Sequence, residues 1–131
     1  MKLAFLAPLA LAGALAGCAG STASLVSSTV NPNYAYSAVQ AFNVAETTAD
    51  GYLRLPACVS GGSSICRDYG AASKIVPLVR TGRAARNQVV AALHASNGAA
   101  IPVASYNNLQ AIVATLQSVY TNYNIAPKTG G

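Results

Sequence analysis

AASKIVPLVRTGRAARNQVVAALHAS, residues 71–96, is an amphipathic segment of this 131-residue chain. Its apolar and small side chains recur at steps of three and four, a spacing that places them on one face of an α-helix. Asn97-Gly98 is typical of a helix end. Pro77 lacks the N–H that a helix interior requires, so the pattern predicts either two helices meeting there or one kinked helix, beginning at Asp68 or Ala71. The predicted face consists of Ile75, Leu78, Val79, Gly82, Ala85, Val89, Ala92 and Leu93.

Two further segments have the same period. Residues 32–53 predict a first helix, with Asn31 as its cap, Pro32 in its first turn and Pro56 beyond its end. Residues 102–124 predict a third helix, with Ser105 as a candidate cap. The first apolar face is Ala35, Ala38, Val39, Phe42, Ala45, Ala49, Tyr52 and Leu53, and the third is Leu109, Ile112, Val113, Leu116, Val119, Tyr120 and Tyr123.

The sequence therefore predicts an all-α fold, a small antiparallel three-helix bundle whose second helix is kinked or split and whose first connection is a disulfide-closed loop. Strand-like alternation of useful length is absent from the sequence. The predicted organisation is a signal peptide over residues 1–17, a flexible tether over 18–31, a helical domain over 32–125 and a disordered tail over 126–131.

The N-terminal residues have the pattern of an export signal. Lys2 precedes an apolar run over residues 3–15, which is shorter than the roughly 20 residues of a membrane span and typical of a cleavable signal. Leu15-Ala16-Gly17-Cys18 follows and resembles the lipobox of bacterial lipoproteins. That resemblance implies a diacylglycerol on the Cys18 thiol and an acyl chain such as palmitate on its new amino group. Ala19, where Asp would imply retention at the inner membrane, implies an outer-membrane lipoprotein facing the periplasm. The alternative is a secreted protein with Cys18 in the discarded signal.

The remaining cysteines, Cys58 and Cys66, are separated by a Gly- and Ser-rich stretch. In an oxidising envelope they predict a disulfide, which stabilises a loop of this size by roughly 2–3 kcal/mol on the chain-entropy model. The alternative is a metal or redox pair. Metal sites usually add closely spaced Cys or His ligands, whereas the only histidine is His94, so no metal or cofactor is predicted.

Three short stretches resemble small helical proteins of proteobacterial phages and prophages. They are Leu55-Pro56-Ala57-Cys58, Cys66-Arg67 and Arg83-Ala84-Ala85-Arg86-Asn87. The resemblance implies a small helical protein and brings no activity with it.

Arginines at steps of three form a basic band on the predicted second helix. Arg80, Arg83 and Arg86 lie opposite its apolar face, and guanidinium groups bind phosphates and carboxylates through paired hydrogen bonds. The band is a candidate site for an anionic ligand, such as lipid head groups, lipopolysaccharide phosphates or peptidoglycan carboxylates. The alternative is a solvated helix face. Nucleic acid is not a predicted partner, since the predicted localisation is outside the cytoplasm and the chain resembles no nucleic-acid-binding fold.

Catalysis is not predicted. Glu46 and Asp50 lie one helical turn apart, whereas glycoside hydrolysis needs carboxylates on both sides of a cleft. Asp50 and Arg54 are expected to form a surface pair along the first helix. His94 near the end of the second helix is explained by the favourable helix dipole.

The third helix carries no charge between residues 102 and 127. A face of amides and hydroxyls can dock onto a partner without stripping water from charges. The alternative is an ordinary polar face in a protein with few charges. This face consists of Asn107, Gln110, Gln117, Ser118, Thr121 and Asn122.

These features predict a non-enzymatic cell-envelope lipoprotein, a binding or structural module anchored to the membrane by its N-terminal lipid. Its expected partner is an envelope protein, peptidoglycan, an anionic lipid or another copy of the chain. One alternative is a phage or prophage lipoprotein serving lysis or superinfection exclusion. Another is a cell-wall hydrolase or transferase, which would need acid and base residues converging on one pocket.

Overall fold

The computed structural model describes residues 28–127. This part of the chain is mostly helical, with helices α1 (Pro32–Leu53), α2 (Tyr69–Ala95) and α3 (Val103–Asn122). Strands β1 (Thr29–Val30) and β2 (Ile101–Pro102) pair antiparallel. The prediction of three helices is confirmed. The predicted signal peptide, the lipobox and Cys18 lie outside the described residues.

The first two helices each begin at a side-chain cap, of which the sequence predicts Asn31 as a cap and gives Asp68 as one of two possible starts of α2. The Asn31 side chain accepts a hydrogen bond from the Asn33 N–H at 2.9 Å, ahead of Pro32 in the first turn. The Asp68 side chain accepts from the Ala71 N–H, also at 2.9 Å. Each bond satisfies an N–H that has no partner within the helix.

Helix α2 runs through Pro77 without a break, so the alternative of two separate helices is wrong. Pro77 is exposed, and so is Ser73, the residue whose carbonyl loses its helical partner because Pro77 has no N–H. Ile75 and Val79 on either side of it are buried. Their packing holds the backbone helical despite the missing hydrogen bond. The helix ends as predicted, with Asn97 and Gly98 at positive φ of 50° and 85°.

Helix α3 begins at Val103, so the prediction of Ser105 as its cap is wrong. Its start is set by the strand pair, where the Val103 N–H donates to the Ser28 carbonyl at 3.0 Å. Strand β1 also removes Thr29–Val30 from the predicted tether, and Val30 packs against the core. Strands of two residues have no periodicity that a sequence can display.

The core is formed by all three helices, each of which contacts the other two. Much of it is alanine, and its fully buried large side chains are Phe42, Ile75, Val89, Ile101, Leu109 and Leu116. Gly82 of α2 faces the Phe42 ring closely, so a glycine on the predicted apolar face permits this close approach of α1 and α2. Within residues 28–127, no helix combines the length and the hydropathy needed to cross a bilayer.

Candidate functional site

The basic band of α2 meets the carboxylates of α1 in an ion-pair cluster. Arg83 Nε donates to Glu46 Oε1, and Arg86 Nη1 donates to Glu46 Oε2 at 2.9 Å. Arg83 Nη2 lies 3.8 Å from Asp50 Oδ1. The Glu46 side chain is only 15% exposed, so the cluster is a partly desolvated link between the two helices.

The ion-pair cluster divides the predicted band. The hydrogen bond and the negative charge of Glu46 raise the pKa of Arg83 above its usual value, and Arg86 also lies 5.6 Å from the Phe42 ring centre. Arg80 is exposed and has no acidic partner among the described side chains. The structure thus places two of the three arginines against a protein carboxylate, where an anionic ligand would compete with Glu46.

The predicted pairing of Asp50 with Arg54 is absent from residues 28–127, since Asp50 faces Arg83 of the next helix instead. Arg54 is the C-cap of α1, where the helical geometry that brings residues four apart together has ended. The sequence could place each residue on a helix surface, but it could not show which helix lies opposite.

The predicted disulfide is present. Cys58 and Cys66 are bonded, with their Cα atoms 4.9 Å apart. At the base of the loop, the Cys58 N–H donates to the Arg67 carbonyl at 3.1 Å and the Arg67 N–H donates to the Pro56 carbonyl at 2.7 Å. The loop is therefore closed both covalently and by a short backbone bridge.

Arg67 joins this loop to the end of α1. Its Nη1 donates to the Leu53 carbonyl at 2.6 Å, and the following Asp68 N–H donates to the Tyr52 hydroxyl at 2.7 Å. A cation near the last carbonyls of a helix is favoured by their negative partial charge. Sequence reasoning missed this role, because it depends on the chain returning to α1 after the loop.

A groove of about 740 Å³ lies between the disulfide loop and the C-terminal segment. Tyr123 is on its wall, with the Lys74 ammonium 5.2 Å from the ring centre. A second groove of about 620 Å³ lies on the other side of the C-terminal segment, and Thr48, Asn124, Ile125 and Ala126 line both. Glu46, Asp50 and His94 line neither groove.

Apolar side chains are exposed around the disulfide loop. Val59 and Ile65 of the loop are each 69% exposed, and Tyr69 at the start of α2 is 87% exposed. We call these three residues, together with Arg54 and Lys74, the loop-end surface. The sequence pattern predicts only a Gly- and Ser-rich connection here, because Val59 and Ile65 follow no helical or strand period.

The uncharged face of α3 is exposed at Asn107, Gln117, Ser118, Thr121 and Asn122. Gln110 differs, because it is half-buried and donates from Nε2 to the Tyr106 hydroxyl at 2.8 Å. The end of this helix turns back onto the core, where the Ile125 N–H donates to the Tyr120 carbonyl at 2.8 Å. Beyond it, residues 126–127 of the predicted tail form no helix or strand, and residues 128–131 lie outside the described range.

Tyr120 is a buried phenol whose hydroxyl donates to the Ala45 carbonyl at 2.6 Å. Burial, with a contribution from the negative charge of Asp50, raises the pKa of Tyr120 to about 12, compared with about 10 in an unfolded chain. The folded state thus holds the proton more tightly than the unfolded state. This contribution to stability is complete below pH 10 and is lost as the pH rises towards 12.

We therefore expect the free energy of unfolding to fall by on the order of 2 kcal/mol from this group between pH 9 and pH 12. Urea unfolding across this range checks it. Tyr120→Phe should be less stable near neutrality by about 1 kcal/mol, from the lost hydrogen bond, and should lose this part of the alkaline decline. Tyr69→Phe, at an exposed tyrosine, should retain it; a decline that persists unchanged in Tyr120→Phe would refute the assignment.

Within the described part of the chain, no three His, Cys, Asp or Glu side chains converge in a way that could hold a metal ion. His94 is exposed on the last turn of α2, and Asp68 serves as the cap of that helix. The strongest features are therefore the ion-pair cluster and the loop-end surface with its groove. No protein-family model, curated protein or solved structure matches this chain.

Proposed function

We propose that this chain is a lipid-anchored, non-catalytic binding module of the bacterial cell envelope, held at the periplasmic face of the outer membrane. The observation that carries the proposal is the pairing of its cysteines. The disulfide uses Cys58 and Cys66, so the third cysteine, Cys18, has no partner left in the chain. Cys18 directly follows Leu15-Ala16-Gly17, the position at which a lipoprotein is acylated.

The disulfide supports the same compartment. Structural disulfides form in oxidising surroundings such as the bacterial periplasm and are rare in the cytosol. A small domain with an alanine-rich core buries little area per residue, so a covalent link contributes a large share of its stability.

The finer arrangement that we propose for the domain is an antiparallel three-helix bundle. The β1–β2 pair joins the start of α1 to the start of α3, while Lys74 early in α2 lies against Tyr123 after the end of α3. These contacts support α1 and α3 running in one direction and α2 in the other. The disulfide loop would then lie at the end opposite to the N-terminal tether.

Two surfaces are available for a partner. Arg80 and the half-exposed Arg83 offer positive charge to an anionic lipid or to peptidoglycan, although Glu46 already holds Arg83 and Arg86. The loop-end surface offers apolar side chains beside a groove. The second surface is the better candidate, since its apolar groups are exposed to solvent, whereas Glu46 already neutralises two of the arginines of the first.

Acylation is tested in a bacterial host with an alkyne analogue of palmitate. We expect the native protein to incorporate the label and to fractionate with membranes. Cys18→Ala should incorporate none, because the acceptor thiol is gone, and its far-UV circular dichroism should be unchanged. The matched control is the Cys58→Ser/Cys66→Ser double variant, which keeps Cys18 and should still be labelled. Label on the Cys18→Ala protein, or none on the native protein, would overturn the anchor.

A further inference from the structure

We propose that the loop-end surface inserts into an anionic lipid bilayer, with the disulfide loop as the inserting tip. The inference rests on the proposed function in taking the chain to be a membrane-anchored protein, and it adds a second membrane contact. The protein would then hold the bilayer at two places, by its acyl chains and by the loop.

The tip has the composition of an inserting segment. Residues 58–66 contain no charged side chain, so entry into the head-group region strips no ion of its water. Val59 and Ile65 project from the loop with 69% of each residue exposed. Tyr69, which follows the loop closely and is 87% exposed, is an amphipathic ring of the kind enriched at membrane interfaces.

Basic side chains flank this uncharged tip in the chain, and we call them the basic collar. Residues 28–127 contain six basic and three acidic side chains. The ion-pair cluster joins Arg83 and Arg86 to Glu46 and Asp50. The remaining charges are Arg54, Arg67, Lys74 and Arg80 against Asp68 alone.

Of these four cations, Arg54, Arg67 and Lys74 flank the disulfide loop in the chain. Lys74 lies over Tyr123, which shares the groove with Ile65 and the disulfide. Arg54 and Lys74 are both exposed. Positive charge beside an apolar tip is complementary to anionic lipid head groups and gives zwitterionic ones no such attraction.

The loop is also preorganised for this contact. Its base is fixed by the disulfide, by the backbone bridge to Arg67 and by the bond from Arg67 to the Leu53 carbonyl. Closing the base lowers the conformational entropy that is lost when the tip enters the bilayer. A free Gly- and Ser-rich segment of the same composition would lose much more.

The reach of the chain permits both attachments. Helix α1 has 22 residues and is about 33 Å long. The segment between Cys18 and Ser28 can extend about 35 Å. The loop can therefore reach the bilayer that holds the anchor, with the domain lying along it, or a second bilayer.

The test exploits the absence of tryptophan from the chain. Ile65→Trp places a single tryptophan at the tip of the full acylated protein, which is reconstituted in vesicles containing brominated lipid. The vesicles are made either of zwitterionic phosphatidylcholine or of phosphatidylcholine mixed with anionic phosphatidylglycerol. In separate experiments the brominated lipid is placed in the vesicles that hold the acyl anchor or in a second population of vesicles without protein. Gln88→Trp, at an exposed position of α2, is the matched control.

We expect the Ile65→Trp emission to shift to the blue and to be quenched by brominated anionic lipid, located either in the anchoring vesicles or in the second population. Zwitterionic vesicles should change the emission little. Gln88→Trp should respond to neither. Adding Arg54→Gln and Lys74→Gln to the Ile65→Trp protein should abolish most of the quenching, as should adding Val59→Ser.

The outcomes separate the two proposals. If the Ile65→Trp protein floats with the vesicles but its fluorescence is not quenched, the loop does not insert, whereas the acyl anchor is supported. A protein partner would then be the remaining candidate for the loop-end surface. A response equal in both lipids would overturn the inserting loop too, because the basic collar would then be without effect. Protein that fails to float with the vesicles would overturn the acyl anchor. The same emission measurement, with protein added from solution, would then still show whether the loop inserts into the bilayer.

Discussion

Gly82→Ala should lower the free energy of unfolding by about 2–3 kcal/mol, although alanine is normally the better helix former by about 1 kcal/mol. A Cβ at this position would lie 2.6 Å from Cζ of Phe42 and closer still to Cε2, well inside van der Waals contact. The ring is fully buried and cannot swing into solvent. The variant must therefore push α1 and α2 apart or force the ring off its rotamer, and both disturb the centre of the core.

Chemical denaturation of the purified protein measures this loss, and two further variants identify its cause. Ala84→Gly, at an exposed position of the same helix, changes only propensity and should cost about 1 kcal/mol. Phe42→Leu shortens the opposing side chain, so Gly82→Ala should be much less damaging in that background. Additive effects of Gly82→Ala and Phe42→Leu would show that the two residues are not in contact.

The contact of Gly82 with Phe42 also shows what the sequence could and could not predict. Both residues fall on predicted apolar faces, because a face depends only on local spacing. That they face each other depends on how two helices pack, and their separation of forty positions leaves no local signal. The same limit applies to Arg83 and Arg86, whose spacing predicts a band but does not reveal Glu46 opposite.

The start of α1 was predictable because the Asn31 side chain makes its cap, and the start of α2 was narrowed to Asp68 or Ala71, of which Asp68 is the cap. At α3 the start was predicted within one residue, but the predicted cap at Ser105 was wrong, because the first residue of the helix is held by a backbone hydrogen bond to Ser28. Pro77 shows tertiary packing overriding a local preference, since the helix persists around a residue that disfavours it. The disulfide was predictable because few cysteines were available to pair.

The sequence predicts the basic band of α2 but not the loop-end surface, and the difference has a physical reason. Its members are Val59, Ile65 and Tyr69 with Arg54 and Lys74, which share no period along the sequence. Arg67 and the disulfide fold the connection that carries Val59 and Ile65 back onto the end of α1. Periodicity identifies residues that share one helix face, and a surface made by a loop has no such pattern.

Replacing both cysteines of that loop, Cys58→Ser with Cys66→Ser, should lower the free energy of unfolding by roughly 2–3 kcal/mol on the chain-entropy model. The link closes a loop with a sequence separation of eight, and its removal returns to the unfolded chain the freedom that the bond had taken from it. The native contacts at the base of the loop, from Cys58 to Arg67 and from Arg67 to Leu53, involve backbone atoms and the Arg67 side chain, so the serine variant retains them.

The expected signature is therefore a lower unfolding midpoint in urea with helical circular dichroism unchanged in the folded state. Reducing the native protein should produce the same loss, which makes reduction the matched control for any effect of the serines themselves. A double variant as stable as the oxidised native protein would show that the disulfide does not constrain the unfolded chain. A double variant that loses helix content instead would show that the link holds α1 and α2 in place, a larger role than closing the loop.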